Sequence, residues 1–122
     1  MVKGNKFGAK KVVNEYGTFD SIAEYGFFKK LRLLEQAEDV NERVVDIERQ
    51  KVYECVINDI KCFKYKADFN VKYVNGTERV FDVKGYTGGA SYSVFRVKQK
   101  CIEAQYGIKI ELVINGKIQP KK

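Results

Sequence analysis

The sequence contains no histidine. That absence removes Ser-His-Asp and Cys-His catalysis, imidazole general bases and histidine metal sites. Any catalysis falls to carboxylates, lysines, tyrosines or a hard metal ion, and oxygen ligands favour Mg²⁺, Mn²⁺ or Ca²⁺. Cysteine is scarce. Cys55, Cys62 and Cys101 are odd in number and show no C-x-x-C spacing. This argues against a disulfide framework and against a zinc site, and all three read as reduced packing residues. No apolar run approaches the roughly 18–20 residues of a membrane span. The basic opening, MVKGNKFGAKK, has no apolar stretch behind it, which a secretory signal needs. A cytosolic protein with no membrane partner is expected. Repeats, low-complexity segments and linkers are also missing.

What is present suits one folded domain. The 122 residues are enough for one domain with one core and too few for two domains, and 44% hydrophobic with 13% aromatic content is globular. The expected layout is a single domain over 1–122, with a basic arm at 1–9 and a basic tail at 117–122. Lysine and arginine number 23 against 16 acids, a net charge of +7. Such an excess suits a polyanionic partner, nucleic acid before membrane.

The pattern predicts a short strand and a turn at Gly17 within 10–19, then a helix over 20–38. Asp20 or Ser21 can cap that helix, and Glu24 follows Ser21 by three, as in a capping box. Residues 39–50 are charged and irregular before a strand near 52–57. Residues 62–74 alternate, Asn75-Gly76 signals a hairpin, and 77–85 returns as a strand. A glycine-rich loop at 85–92 precedes a helix over 93–107, with Ser93 as cap and Gly107 as stop, and a last strand over 108–114. The order β-α-β-β-β-α-β implies an α/β (α+β) fold. One mixed central sheet carries a three-strand antiparallel meander, flanked by two main helices.

Carboxylates then stand in unexpected places. On a helix of 3.6 residues per turn, Glu24 falls in line with Phe27, Phe28 and Leu31, on the apolar stripe. A carboxylate there must be paired, protonated or bound to a cation, because burying it bare is too costly. It either reaches back to cap its helix or belongs to a site. In the second helix Val94, Val97, Cys101 and Ala104 read as the apolar stripe, with Lys98 and Gln105 inside it. Lys98 is either a snorkelling lysine at the stripe edge or a cation aimed into a polar pocket. On the strands, Ala67, Phe69, Val71 and Tyr73 share one face, and Asp68 takes the other. Val80, Asp82 and Lys84 likewise share a face, away from Phe81 and Val83. One short hairpin makes Asp68 and Asp82 neighbours. Two adjacent acids repel unless a divalent cation lies between them.

Glu24, Asp68, Asp82 and Lys84 therefore form a constellation of three acids and one lysine, suited to metal-dependent phosphodiester hydrolysis. The pattern Asp68 … Asp82-Val83-Lys84, with a helix acid upstream, resembles the PD-(D/E)XK nuclease superfamily. The fuller run TFDSIAEYGFFKKL … ADFNV … VFDVKG … FRVKQK is similar to small phage-encoded nucleases. Those are related in plan to the endonuclease I type of Holliday-junction resolvase and to transposon-end endonucleases. The likeness covers about residues 17–107. It implies a restriction-endonuclease-like fold, Mg²⁺ or Mn²⁺, and hydrolysis leaving 5′-phosphate ends on branched, recombination or replication DNA. It also implies a bacterial host cell as location if the chain is phage-encoded, and it admits a homodimer. Carried over by position, Glu24, Asp68, Asp82 and Lys84 are catalytic, and the three acids with Val83 (through its carbonyl) hold the metal. Gln50 resembles a glutamine before the second strand of some relatives. Arg96, Lys98, Lys100, Gly88 and Gly89 are the expected nucleic-acid contacts. Ala67 replaces the motif's proline, and Asp82 replaces a glutamate with a longer reach. The alternative is a non-catalytic nucleic-acid-binding module that keeps the nuclease fold.

The site makes a demand on strand register. A two-residue turn at Asn75-Gly76 would set Asp68 opposite Val83, facing away from Asp82 and Lys84. A three-residue loop over Asn75, Gly76 and Thr77, with Gly76 left-handed, would set Asp68 opposite Lys84 and Asn70 opposite Asp82. That loop, or a bulge between 68 and 84, is expected.

Overall fold

The computed structural model describes residues 11–85 and 89–120. Strands β1 (Val12–Asn14) and β2 (Gly17–Phe19) pair as a small antiparallel hairpin. Gly17 opens β2 and does not make the turn, so that expectation shifts by two residues. Helix α1 spans Ile22–Leu33 and passes into a single 3₁₀ turn at Leu34–Gln36, shorter than the 20–38 helix expected. Ser21 is its cap: the Ser21 hydroxyl accepts from the Glu24 backbone N–H at 3.0 Å. Its buried residues are Glu24, Phe27, Phe28 and Leu31, so the stripe read from the sequence is the stripe that packs.

A five-stranded mixed sheet follows, in the spatial order β3-β4-β5-β6-β7. β3 (Val44–Ile57), β4 (Ile60–Tyr73) and β5 (Glu78–Lys84) form the antiparallel meander. β6 (Ile110–Ile114) lies parallel to β5, and β7 (Lys117–Ile118) turns back on it. The two main helices and this mixed sheet make the chain α+β. β3 begins at Val44, well before 52, because the charged residues Asp46, Glu48, Arg49 and Lys51 hide its strand pattern. The residues taken for a basic tail begin with β7.

Helix α2 spans Gly89–Tyr106, so it starts four residues earlier than expected. Ser93 lies inside it and bonds back to the Gly89 carbonyl at 3.5 Å, and is therefore not its cap. Gly107 is its stop. With φ +68, it lets the Gly107 and Ile108 N–H groups both fold onto the Glu103 carbonyl. Gln105 and Tyr106 at the helix end hydrogen-bond the β3 backbone at Glu54 and Val56.

Of the apolar stripe expected on α2, only Cys101 packs against the core. Val94 is 53% and Val97 61% exposed, and Ala104 is exposed too. The inward face carries Phe95, Gln99 and Ile102, one turn apart. Counting only apolar residues misplaces the face, because a glutamine sits at its centre.

Two cores result. The first holds Phe19, Phe27, Phe28, Leu31, Phe69, Val71 and Phe81, on the α1 side. The second holds Tyr53, Cys55, Tyr65, Ala67, Val80 and Ile102, on the α2 side. Ala67 and Phe69 would share a face in an unbroken strand, yet they pack in opposite cores, which corrects the single-face reading of β4. The changeover falls where Gln50 of β3, with φ +60, lies between the pairs Arg49↔Phe69 and Lys51↔Ala67. That left-handed residue breaks the β3 alternation directly across from Asp68. The three cysteines are free, and burial together with the neighbouring Cys62 and Cys101 raises the Cys55 thiol.

Candidate active site

The hairpin fixes the site. Tyr73 N–H reaches the Thr77 carbonyl at 2.9 Å, so the loop is three residues long but covers Val74, Asn75 and Gly76. Gly76, at φ +90, supplies the left-handed turn. The ladder then runs Lys72↔Glu78, Val71↔Arg79, Asn70↔Val80 and Phe69↔Phe81. One more step in this register sets Asp68 opposite Asp82. The loop length was expected; the frame is shifted by one residue, and Asp82 takes the place facing Asp68 that was assigned to Lys84. The two acids share a side of the sheet, which the site requires.

At that step the backbone ladder ends. The Asp68 carboxylate takes over, accepting the Val83 N–H at 2.8 Å. β5 continues beside β6 as far as Lys84, while β4 continues beside β3. The strands part, and α2 fills the opening with Phe95, Gln99 and Ile102.

Asp82 is 3% exposed. Its Oδ2 accepts a short hydrogen bond from the Tyr65 hydroxyl, and Gln99 Nε2 lies 3.4 Å away. Gln99 also donates to the Tyr65 oxygen at 2.9 Å, and Arg96 donates to Gln99. Burial pushes the Asp82 carboxyl up to about 9, and its hydrogen bond and charge contact with Asp68 push the same way. Tyr65 and the Lys84 ammonium oppose this only in part. Burial and Asp82 raise the Tyr65 hydroxyl as well.

Glu24 comes from the other side of the pair. Burial raises it to about 7, and the Asp68 charge adds to this. Its carboxylate accepts from Gln50 Nε2 at 3.0 Å and lies 3.8 Å from Arg49. The Asp20 backbone also contributes a hydrogen bond to Glu24, which reaches back to the start of its helix. Arg49 in turn donates to the Thr18 carbonyl at 2.6 Å and lies over the Phe19 ring at 3.6 Å. It locks the β1–β2 hairpin to Glu24.

Lys84 projects on the Asp82 side, with its ammonium 3.4 Å from the centre of the Phe95 ring. Lys98 stands over Phe63 at 5.5 Å, its stem packed at the helix edge, which is the snorkelling arrangement. Arg96 is turned inward to Gln99, Lys100 is exposed, and Gly89 is the exposed first residue of α2. Gly88 lies outside the described residues. Tyr65, Gln99 and Arg49 were missed in the sequence. Tyr65 offered a weak signal, three residues before Asp68; Gln99 and Arg49 offered none.

The donor chemistry suits a hard cation. Asp68, Asp82 and Glu24 offer oxygen only, and burial, reinforced by the Asp68 charge, makes Glu24 and Asp82 prone to hold a proton. Among the described residues, no group of three acid or thiol side chains stands ready to hold an ion, since Glu24 is turned to Gln50 and Arg49.

No helix among the described residues is long and apolar enough to cross a membrane. A family described as protein of unknown function (DUF1064) matches residues 4–118, and the chain belongs to that family. No curated protein matches the chain.

Proposed function

We propose that the chain is a metal-dependent DNA endonuclease of the PD-(D/E)XK plan, acting on branched, recombination or replication DNA. One observation supports this above the rest: Asp68 and Asp82 meet where β4 and β5 part, with Lys84 two residues further along the same side. Asp68 and Asp82 would hold Mg²⁺ or Mn²⁺, joined by the Val83 carbonyl and, once freed from Gln50, by Glu24. A bound ion of this kind polarises the scissile phosphate and acidifies a water molecule. Lys84 offsets charge building on the phosphorus oxygens or orients the attacking water. Tyr65 and Gln99 hold one oxygen of Asp82 and so fix the direction of the other. The net charge of +7 favours approach of a polyanion. One site of this size serves one strand, so paired cuts would take a homodimer or two events.

The second reading, a nucleic-acid-binding module without catalysis, has one observation in its favour. Asp82 is already hydrogen-bonded by Tyr65 and Gln99, as a structural buried acid would be. Junction, flap, single-stranded and duplex DNA incubated with Mg²⁺ or with chelator separate the two. Metal-dependent cutting, strongest on branched DNA, is expected. Asp82→Ala should abolish it and leave DNA binding intact or tighter, because a negative charge is lost. Lys84→Ala should slow it by about a hundredfold or more and keep metal binding, and Lys98→Ala should cost less. Salt-sensitive binding with no cutting of any substrate would leave the second reading.

A further inference from the structure

A second concave region lies beside the acid pair. Asn70 is two residues from Asp68 on β4, and Val80 two residues from Asp82 on β5, roughly 7 Å along the strands. Both line a cavity of about 510 Å³, walled also by Lys51, Tyr53, Tyr106 and Lys109. That volume lies within the range of small-ligand sites.

Its polar groups are not evenly paired. Glu24, Asn70, Asp82, Gln99 and Glu111 are the buried polar side chains among the described residues. Glu24, Asp82, Gln99 and Glu111 are each tied down by side-chain hydrogen bonds. Asn70, 4% exposed, shares in none of these bonds, and it borders the cavity. Its amide is open to the cavity, so a bound group can take the place of water as its hydrogen-bond partner.

The charges point the same way. Glu111 is neutralised by a bidentate hydrogen-bonded pair with Arg79, at 2.8 and 2.5 Å, and Glu78 lies 3.6 Å from Lys72. Lys51 and Lys109 take part in none of the salt bridges among the described residues. Lys51 stands 5.4 Å from the centre of the Tyr53 ring, and the cavity thus offers an anion two ammonium groups that have no carboxylate partner. It also offers aromatic surface: Tyr53 and Tyr106 meet edge to face with centroids 5.0 Å apart, and Tyr106 is 44% exposed. The Tyr106 ring is held in place by the Glu54 backbone, which fixes a flat wall. Cations for a phosphate, an aromatic wall for a base, and an amide with one donor edge and one acceptor for a base edge occur together here.

We propose that this cavity binds a single nucleotide, its phosphate at Lys51 and Lys109 and its base between Tyr106 and Asn70. The occupant is either a free nucleoside monophosphate or one nucleotide of a DNA strand, and the chemistry is the same. The proposal does not depend on cleavage, because none of these residues belongs to the acid pair.

Titration of the full chain with 5′-deoxyadenosine monophosphate, inorganic phosphate and deoxyadenosine, all in chelator, tests it. The nucleotide should bind more tightly than either fragment. Lys51→Ala with Lys109→Ala should weaken it by about tenfold or more, and Asn70→Ala should weaken nucleotide without changing phosphate binding. Both variants should first be shown folded by their melting curves. Amide NMR shifts on adding nucleotide should cluster at Lys51, Asn70, Tyr106 and Lys109. Displacement of a short single strand by the mononucleotide would identify the occupant as part of DNA; independent binding would identify a free nucleotide. Equal affinity for phosphate and nucleotide, no binding, or shifts gathered on Asp68, Asp82 and Lys84 would each overturn the proposal. Because metal is absent throughout, failure of the cleavage reading leaves this result untouched.

Discussion

The two sides of the sheet are built from different materials. On the α1 side, Phe19, Phe27, Phe28, Phe69 and Phe81 pack ring on ring, with Glu24 at the margin. On the α2 side, the middle of the packing holds Asp82, Gln99 and the Tyr65 hydroxyl, all buried and joined by hydrogen bonds. The first side gains from removing apolar area from water. The second keeps acids out of water at a cost, and only partners make that tolerable. The first should therefore respond to lost volume and the second to pH and cations.

The largest stability effect should come from the aromatic side. Phe69→Ala empties a fully buried position between Phe27 and Phe28, and a loss of about 3–5 kcal/mol is expected from urea unfolding. A loss below about 1 kcal/mol would erase the contrast between the sides.

Next comes pH dependence without metal. Asp82 holds its proton to about 9 when folded against a reference value of 3.8, and Glu24 to about 7 against 4.5. The folded chain thus retains protons that the unfolded chain releases. Stability is full below those reference values and falls as pH rises, through about 7 for Glu24 and about 9 for Asp82. Thermal midpoints should drop from pH 5 to pH 9. Asp82→Asn should remove much of the drop and raise stability at pH 8, by roughly 2 kcal/mol. Mg²⁺ should flatten the same slope in the parent chain; an unchanged slope at saturating Mg²⁺ would count against the metal assignment.

Tyr65→Phe is a smaller cut. It strips one hydrogen bond from Asp82 and should cost about 1–2 kcal/mol at pH 8. Because that bond lowers the Asp82 carboxyl, its loss should also steepen the pH dependence. The smallest effect belongs to Ser21→Ala, about 1 kcal/mol for a lost cap, with no change in pH slope.

The same contrast explains what was legible in the sequence. The α1 side announces itself, because Phe27, Phe28 and Leu31 recur at helical spacing behind a capping serine. Glu24 stood out because a carboxylate on an apolar stripe violates a simple rule, and Asp68 and Asp82 because one short hairpin makes two acids neighbours. The α2 face was misread because Gln99, a polar residue, packs centrally through partners 17 and 34 positions away. The early start of α2 was hidden behind glycines that mimic a loop. The hairpin loop length followed from the face requirement, but its frame did not, since Val74 and Thr77 are equally able to end a strand. The changeover at Gln50 had no local signature: nothing in RQK tells one residue to turn left-handed.

That left-handed residue has one more consequence. β3 is an outermost strand of the sheet and 14 residues long. A straight run of that length would be an open template for the strand of another molecule. Gln50 divides it into two segments that no single straight partner can follow, and Gln105 and Tyr106 occupy backbone groups at Glu54 and Val56. The residue that holds Glu24 in place thereby also guards against edge-to-edge aggregation, and a second copy of the chain would have to dock elsewhere.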